Sequence, residues 1–257
     1  MLATKRFLSS GVNWRGRARF YGEVDVAHDS VLDKFFVLLD GKAVRTPGMN
    51  PFALPTRALA GLVAQEWDSQ ICVLETSTMP LTMQCATAID ITCNRRDGTV
   101  AELLRYLTTD VVCFPAQVDL NENSGETKKL HNFQQERWKL ALGHFAQTYG
   151  QLQVLDSNTL VLPKHDPEAI AKVTHRLHDL CDFKLNAMNQ LAHGCKSLVL
   201  PLALLDRAST VEGTLLASRA EEDHQIGNWG LVEGSHDVDE SNLRCQISAA
   251  SMVLWLA

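Results

Sequence analysis

KFFVLLDGKAVRT, residues 34–46, decides how the amino-terminal part of the chain is read. Lys34–Leu39 carries two phenylalanines and a valine in an apolar run of strand length, and Lys42–Thr46 is a second run of the same kind. Between them stands Asp40-Gly41, the dipeptide suited to a type I′ turn, which needs positive φ at both central positions. Two runs joined this way predict a β-hairpin. Upstream, Arg19–Val26 has strand composition and predicts a further strand. Downstream, Pro47, Gly48, Asn50, Pro51 and Pro55 interrupt regular structure, and Thr56 is placed to cap a helix in which Leu59, Leu62, Val63 and Trp67 form one apolar stripe. Further helices are expected over residues 81–92 and 97–108, the second with Val100, Leu103, Leu104 and Leu107 on one face.

After a short strand expected over Asp110–Phe114, the stretch Pro115–Lys129 is polar, contains Pro and Gly, and lacks aromatics, as a domain linker does. Beyond it the apolar spacing is helical: His131–Tyr149 with Phe133, Trp138, Leu142 and Phe145, then Asp166–Cys181 with Pro167 in the first turn. Leu155–Pro163 reads as extended. Two more helices, 184–206 and 209–226, are expected to pack as a hairpin turning near Arg207-Ala208-Ser209. The expected fold class is therefore α+β: a β-containing amino-terminal domain over 20–114, a linker over 115–129 and a mainly α-helical carboxy-terminal domain over 130–257.

With 257 residues, 46% apolar and 21% charged, the chain has ample material for a packed core. Residues 1–19 hold Lys5, Arg6, Arg15, Arg17 and Arg19 with no acid, together with serines and scattered apolar residues, the composition of a mitochondrial transit peptide. Removing those five cations from 24 Lys and Arg leaves 19 against 30 Asp and Glu, so the net charge falls from −6 to −11. A domain of that charge is unsuited to nucleic-acid backbones. The longest apolar run, Leu198–Leu205, is too short to span a bilayer and reads as core, so a soluble matrix protein is expected. Seven cysteines at 72, 85, 93, 113, 181, 195 and 245 include no C-x-x-C pair, which argues for buried apolar thiols rather than zinc or a disulfide framework.

Motifs for catalysis fail one after another. His193-Gly194-Cys195-Lys196-Ser197 approaches a phosphate-binding loop but has Cys and Gln190 where that loop needs glycines for its backbone N–H groups to wrap the anion. Ser235-His236-Asp237 contains the residue types of a hydrolase triad as sequence neighbours, which cannot readily aim at one another. His175 and His178 supply half a metal site and no third ligand. No catalytic residue, cofactor or metal is expected. Trp67 and Trp138 read as core residues.

A different signal lies at residues 221–240, where seven Asp and Glu occur with no Lys or Arg and Trp229 stands in the middle. An indole supplies burial and carboxylates supply orientation, so the pattern fits a docking surface. Its expected members are Glu221, Glu222, Asp223, Trp229, Glu233 and Asp237. A matrix hydrolase or transferase using these carboxylates with His224 or His236 is the competing reading, and an interaction module for another matrix complex is a third.

Ordered blocks of sequence add a resemblance. They run from Arg19-Phe20-Tyr21 with Glu23-Val24, through Leu39-Asp40-Gly41-Lys42 with Val44-Arg45-Thr46-Pro47, to Leu54-Pro55-Thr56-Arg57-Ala58-Leu59-Ala60 and Glu66-Trp67. Met79-Pro80-Leu81-Thr82, Thr87-Ala88-Ile89-Asp90, Tyr106 with Thr109-Asp110, and the helix around Gln135–Trp138 continue the series. Lys196-Ser197-Leu198, Ser218-Arg219 with Glu221-Glu222, and Gln225-Ile226, Trp229-Gly230, Val232-Glu233 and His236-Asp237 complete it. Across nearly all of the chain after the basic segment, these blocks resemble the mitochondrial F1-ATPase assembly chaperone family whose members bind the free α subunit of F1. The resemblance implies two domains, no catalysis, and a partner in the F1 ATP synthase α subunit, held until the α3β3 hexamer forms. No nucleic acid, no membrane insertion and no small-molecule substrate are expected, and a monomer is expected. Ala220, where the family has a larger apolar residue, and Gly227-Asn228, in place of a charged pair, depart from the pattern and should soften the helix before Trp229, since Gly costs about 1 kcal/mol in a helix relative to Ala.

Overall fold

At Asp40 and Gly41 the backbone takes φ of 46° and 75°, the two positive angles that the type I′ turn requires. The turn joins β2 (Lys34–Leu39) to the short β3 (Lys42–Ala43), with Leu39 opposite Lys42. The computed structural model describes residues 14–119, 125–155 and 162–257. Its longest strand pairing is between β1 (Val24–Asp29) and β2, antiparallel from Val24–Leu39 to Asp29–Lys34, and β4 (Ala53–Leu54) pairs with β2 at Phe35 and Phe36. The first strand thus begins at Val24 rather than Arg19. Instead, Arg19 anchors the preceding segment: its guanidinium donates to the carbonyls of Asp68 (2.9 Å), Gly22 (3.2 Å) and Gln70.

The chain divides into two units, one of residues up to Asn94 with Leu256–Ala257 and the other Arg95–Trp255. In the first, the sheet packs on α1 (Arg57–Asp68), which is capped by Thr56 as its sequence predicts and buries Leu59, Ala60, Val63 and Trp67. α2 (Pro80–Asp90) follows, and both oxygens of the Glu66 carboxylate are engaged by its first turn, through Leu81 N (2.8 Å), Thr82 N (2.7 Å) and the Thr82 hydroxyl (2.7 Å). Trp14 is buried against Phe52 and Trp67. Residues 14–19, inside the basic segment read as a presequence, therefore belong to this unit; residues 1–13 lie outside the described residues.

The second unit begins with α3 (Arg96–Thr109), so the linker expected over 115–129 falls inside this unit rather than between the two. α3 packs on α5 and α6, with Leu103 and Leu107 buried. The strand expected over 110–114 is a 3-10 turn, Val111–Cys113, and the cause is Asp110. Its wholly buried carboxylate accepts from Val112 N (3.3 Å), Leu198 N (2.7 Å) and Val199 N (3.0 Å), which bends the chain locally and caps another helix from a distance. α4 (Glu126–Thr148) starts within the expected linker; residues 120–124 lie outside the described residues, as do 156–161 of the stretch read as extended. α5 (Pro167–His178) is capped by Asp166.

The helix expected over 184–206 is two helices, α6 (Asp182–Cys195) and α7 (Val199–Leu205), broken at Lys196, whose φ is 53°. The Asp110 carboxylate and the Ser197 hydroxyl satisfy the N–H groups of α7 that continuation of α6 would otherwise have bonded. Every residue of α7 is buried, as its apolar run predicts. Likewise the helix expected over 209–226 is α8 (Val211–Ser218) and α9 (Ala220–Trp229), and α10 (His236–Leu256) occupies a stretch for which no helix was expected. No helix among the described residues is long and apolar enough to cross a membrane.

Candidate functional site

The break between α8 and α9 falls at Arg219, and it places Glu221, Glu222 and Asp223 together in the first turn of α9, where carboxylates meet the positive end of the helix dipole. Their roles then diverge. Glu221 points to solvent, Glu222 pairs with Lys196 at 3.3 Å on the surface, and Asp223 turns inward to Arg219 at 3.4 Å. Burial pushes the Asp223 carboxyl up, an effect opposed by the Arg219 and Arg137 charges. Asp223 thus holds the α8–α9 corner, the i,i+4 partner of an arginine that is only 6% exposed.

At the other end of α9, Trp229 is 80% exposed, and Leu231 (54%), Val232 (57%) and Val238 (57%) follow it in the open. Gly230 ends the helix at φ 89°, a conformation that glycine adopts freely. The connection is pinned by Val232 N donating to His236 Nδ1 (3.3 Å), and Asp237 lies in the first turn of α10. Glu233 and Asp237 are exposed, and neither they nor Glu221 form an ion pair among the described residues. The three exposed aliphatic residues were not among the expected site members; their clustering around Trp229 in sequence was the available signal.

A hollow of about 410 Å³ lies beside the indole, between α9 and the start of α4, walled by Leu130, His224, Gln225 and Asn228. The Asn228 amide donates to Glu126 Oε2 at 3.1 Å, so the Gly227-Asn228 departure from the family pattern leaves α9 intact through Trp229 and ties it to α4. Ala220 is buried at the corner. Trp67 and Trp138 are each 1% exposed, as expected of core residues, and Trp138 Nε1 donates to the Ala217 carbonyl at 2.9 Å.

The histidines of the hydrolase or transferase reading do not meet its carboxylates among the described residues. His224 lies 3.9 Å from Glu126, while His236 accepts a backbone N–H, and neither hydrogen-bonds a carboxylate of 221–240 among the described residues. His175 pairs with Asp179 at 3.2 Å, and no group of three or more His, Cys, Asp and Glu that could hold a metal occurs among the described residues. What the arrangement offers is an exposed indole at the end of α9, with exposed aliphatic residues and the exposed carboxylates Glu233 and Asp237 following it in sequence.

The family model described as ATP12 chaperone protein matches residues 18–146. Among curated relatives, the mitochondrial protein atp12 of Schizosaccharomyces pombe is 24% identical over 225 residues, covering 84% of this chain and 76% of its own length. The mitochondrial ATP12 protein of Saccharomyces cerevisiae is 25% identical over 276 residues, covering 92% and 83%. The crystal structure of Atp12 from Paracoccus denitrificans superposes with a TM-score of 0.82 at 26% identity, over 95% of this chain and 99% of that one.

Proposed function

Because the chain belongs to the ATP12 chaperone family, whose work is the assembly of F1-ATPase, we propose that it binds the unassembled F1 α subunit in the mitochondrial matrix and shields it until β arrives. The observation that carries the reading is Trp229, exposed at the end of α9, followed closely in sequence by exposed Leu231, Val232 and Val238 and by Glu233 and Asp237, which form no ion pair among the described residues. Exposed apolar residues gathered in one patch mark a site of interaction. An unassembled α subunit has a complementary need, since the apolar surface meant for β would otherwise drive aggregation. Trp229 serves as the anchor, the aliphatic residues extend the buried patch, and Glu221, Glu222, Glu233 and Asp237 orient the partner through basic groups on it. Asp223 acts one step back, fixing the corner from which α9 projects. The role is binding, without catalysis or cofactor, and release follows when β covers the same surface with more buried area.

The experiment is recovery of bound proteins from mitochondria on a tagged chain, comparing wild type with Glu222→Lys. The α subunit is expected with wild type and at reduced yield with the variant. Equal recovery from both would remove the acidic edge from the account, and recovery of a metabolic enzyme in place of α would return the hydrolase or transferase reading.

A further inference from the structure

The face shared by α3 and α6, which the α9 surface does not use, carries an open hollow of about 400 Å³ within the carboxy-terminal unit. Glu102, Arg105, Tyr106 and Thr109 line it from α3, and Asn189 and His193 line it from α6. Spacings of three and four residues put each set on one face of its helix, and the two helices pack on each other. Every lining residue is polar. Arg105, Thr109 and His193 are exposed, whereas Glu102, Tyr106 and Asn189 are half-buried.

Donors and acceptors around the hollow are unevenly matched. Glu102, its one carboxylate, is paired with Arg95 at 2.9 Å. The Tyr106 hydroxyl and His193 Nδ1 are 2.8 Å apart. Burial, and after it the Glu102 charge, pushes the Tyr106 hydroxyl up, so it keeps its proton at neutral pH and donates to Nδ1. The neutral imidazole then presents its Nε2–H as a donor. The side chains of Arg105, Thr109 and Asn189 make no hydrogen bond or ion pair among the described residues. The Asn189 amide is thus partly withdrawn from water without a protein partner, and a ligand oxygen would satisfy it. With Arg95 and Glu102 cancelling, Arg105 leaves the hollow positive on a chain whose net charge is −6. A surplus of N–H and O–H donors around one guanidinium fits an oxyanion, because the guanidinium meets phosphate oxygens with two parallel N–H groups. The volume falls in the range of small-molecule sites, from about 300 Å³ upward, and leaves room for an organic body beside a phosphate. His193 comes from the stretch that fails as a phosphate-binding loop; here the donors are side chains on two helix faces, and no loop of backbone N–H groups is needed.

We infer that the α3–α6 hollow is a binding site for a phosphate group, whose charge is met by Arg105 and whose oxygens accept from His193, Asn189 and Thr109. Such a group occurs both as the free ion and as the monoester of a small organic body such as a nucleotide, and the two sources share the recognition chemistry. None of these residues belongs to the α9 surface, so the inference stands whether or not the α subunit is the partner.

The test uses the ¹³C,¹⁵N-labelled full chain at fixed neutral pH and the His193 Cε1–H resonance, assigned by its disappearance in His193→Gln. Probes are inorganic phosphate, adenosine monophosphate, uncharged adenosine, and sodium chloride matched in ionic strength. A saturable shift of the His193 resonance with at least one of the two phosphates, half complete at about 1 mM or below, is expected, since a ligand this small binds modestly. Arg105→Ala, at an exposed position, should leave the melting temperature unchanged and raise the apparent Kd about tenfold, and Asn189→Ala should raise it about threefold. A shift with inorganic phosphate assigns the ion as sufficient, and a shift with the nucleotide alone assigns a monoester whose organic body adds contacts. No saturable movement with either phosphate up to about 10 mM, an equal response to adenosine or to sodium chloride, or undiminished affinity in Arg105→Ala would overturn the inference.

Discussion

Asp110→Ala should weaken the carboxy-terminal unit without touching any exposed surface. The side chain is wholly buried and accepts from three backbone N–H groups, Val112 on its own turn and Leu198 and Val199 at the start of α7. Truncation leaves all three without an acceptor in a place water does not reach. At about 1–3 kcal/mol for each orphaned buried donor, the gross loss is roughly 3–9 kcal/mol. Part returns because the carboxylate no longer has to be desolvated, a cost visible in the way burial pushes the Asp110 carboxyl up against the hydrogen bonds of Ser197, Val199, Leu198 and Val112. A net loss of about 3 kcal/mol remains, which for a chain of this size lowers Tm by roughly 6–12 °C. Asp110→Asn keeps one acceptor oxygen and should lose about half as much. Thermal melting followed by circular dichroism at neutral pH, with urea unfolding as a second measure, reads both. An Ala variant melting within about 2 °C of wild type would refute the idea that this carboxylate sets the α6–α7 break.

Two further outcomes follow from the packing. The Asp206 carboxylate accepts from Tyr149 (2.6 Å), His144 (3.0 Å) and Arg176 (2.9 Å); burial alone would raise its carboxyl, but these partners outweigh it and hold it below the ordinary range. Its folded form therefore binds its proton later on acidification than the unfolded chain does, so its contribution is present at neutral pH and is lost as pH falls from about 4 downward. Urea midpoints measured between neutral and acid pH should fall more steeply for wild type than for Asp206→Asn. For the amino terminus, a chain starting at residue 20 loses the buried Trp14 and the Arg19 anchor and should be less stable than one starting at residue 14 by about 3 kcal/mol, read from urea midpoints; equal midpoints would mean that residues 14–19 add nothing to the first unit.

Local chemistry was legible where it acts locally. Asp40-Gly41 needed only its own backbone preference, and Thr56, Pro167 and the apolar stripe of α1 needed only local helix rules. Misreadings cluster where a remote group decides. The apolar spacing of residues 184–206 runs on through Lys196, and only Asp110, 88 residues upstream of Leu198, shows why the helix must stop and restart. The same carboxylate makes a turn of an apolar stretch that reads as a strand. The carboxy-terminal helix was obscured by its acidic first turn, although Ile247, Ala250, Ser251 and Leu254 repeat at helical spacing and are buried. In the candidate surface, Trp229 among acids was readable as composition, whereas the inward turn of Asp223 depends on where α8 ends.

On the proposed function Trp229 anchors the partner and does nothing for the fold. At 80% exposure, its replacement by Ala should leave Tm within about 1 °C of wild type, because little burial is lost. An anchor residue at an interface costs about 2–4 kcal/mol when truncated, so affinity for the purified F1 α subunit should fall roughly 30-fold to 1,000-fold. Titration calorimetry or surface binding of α to wild type and Trp229→Ala measures this directly. A loss of that size with unchanged melting is the predicted result; equal affinity for the two proteins would contradict the assignment of this surface as the place where the α subunit docks.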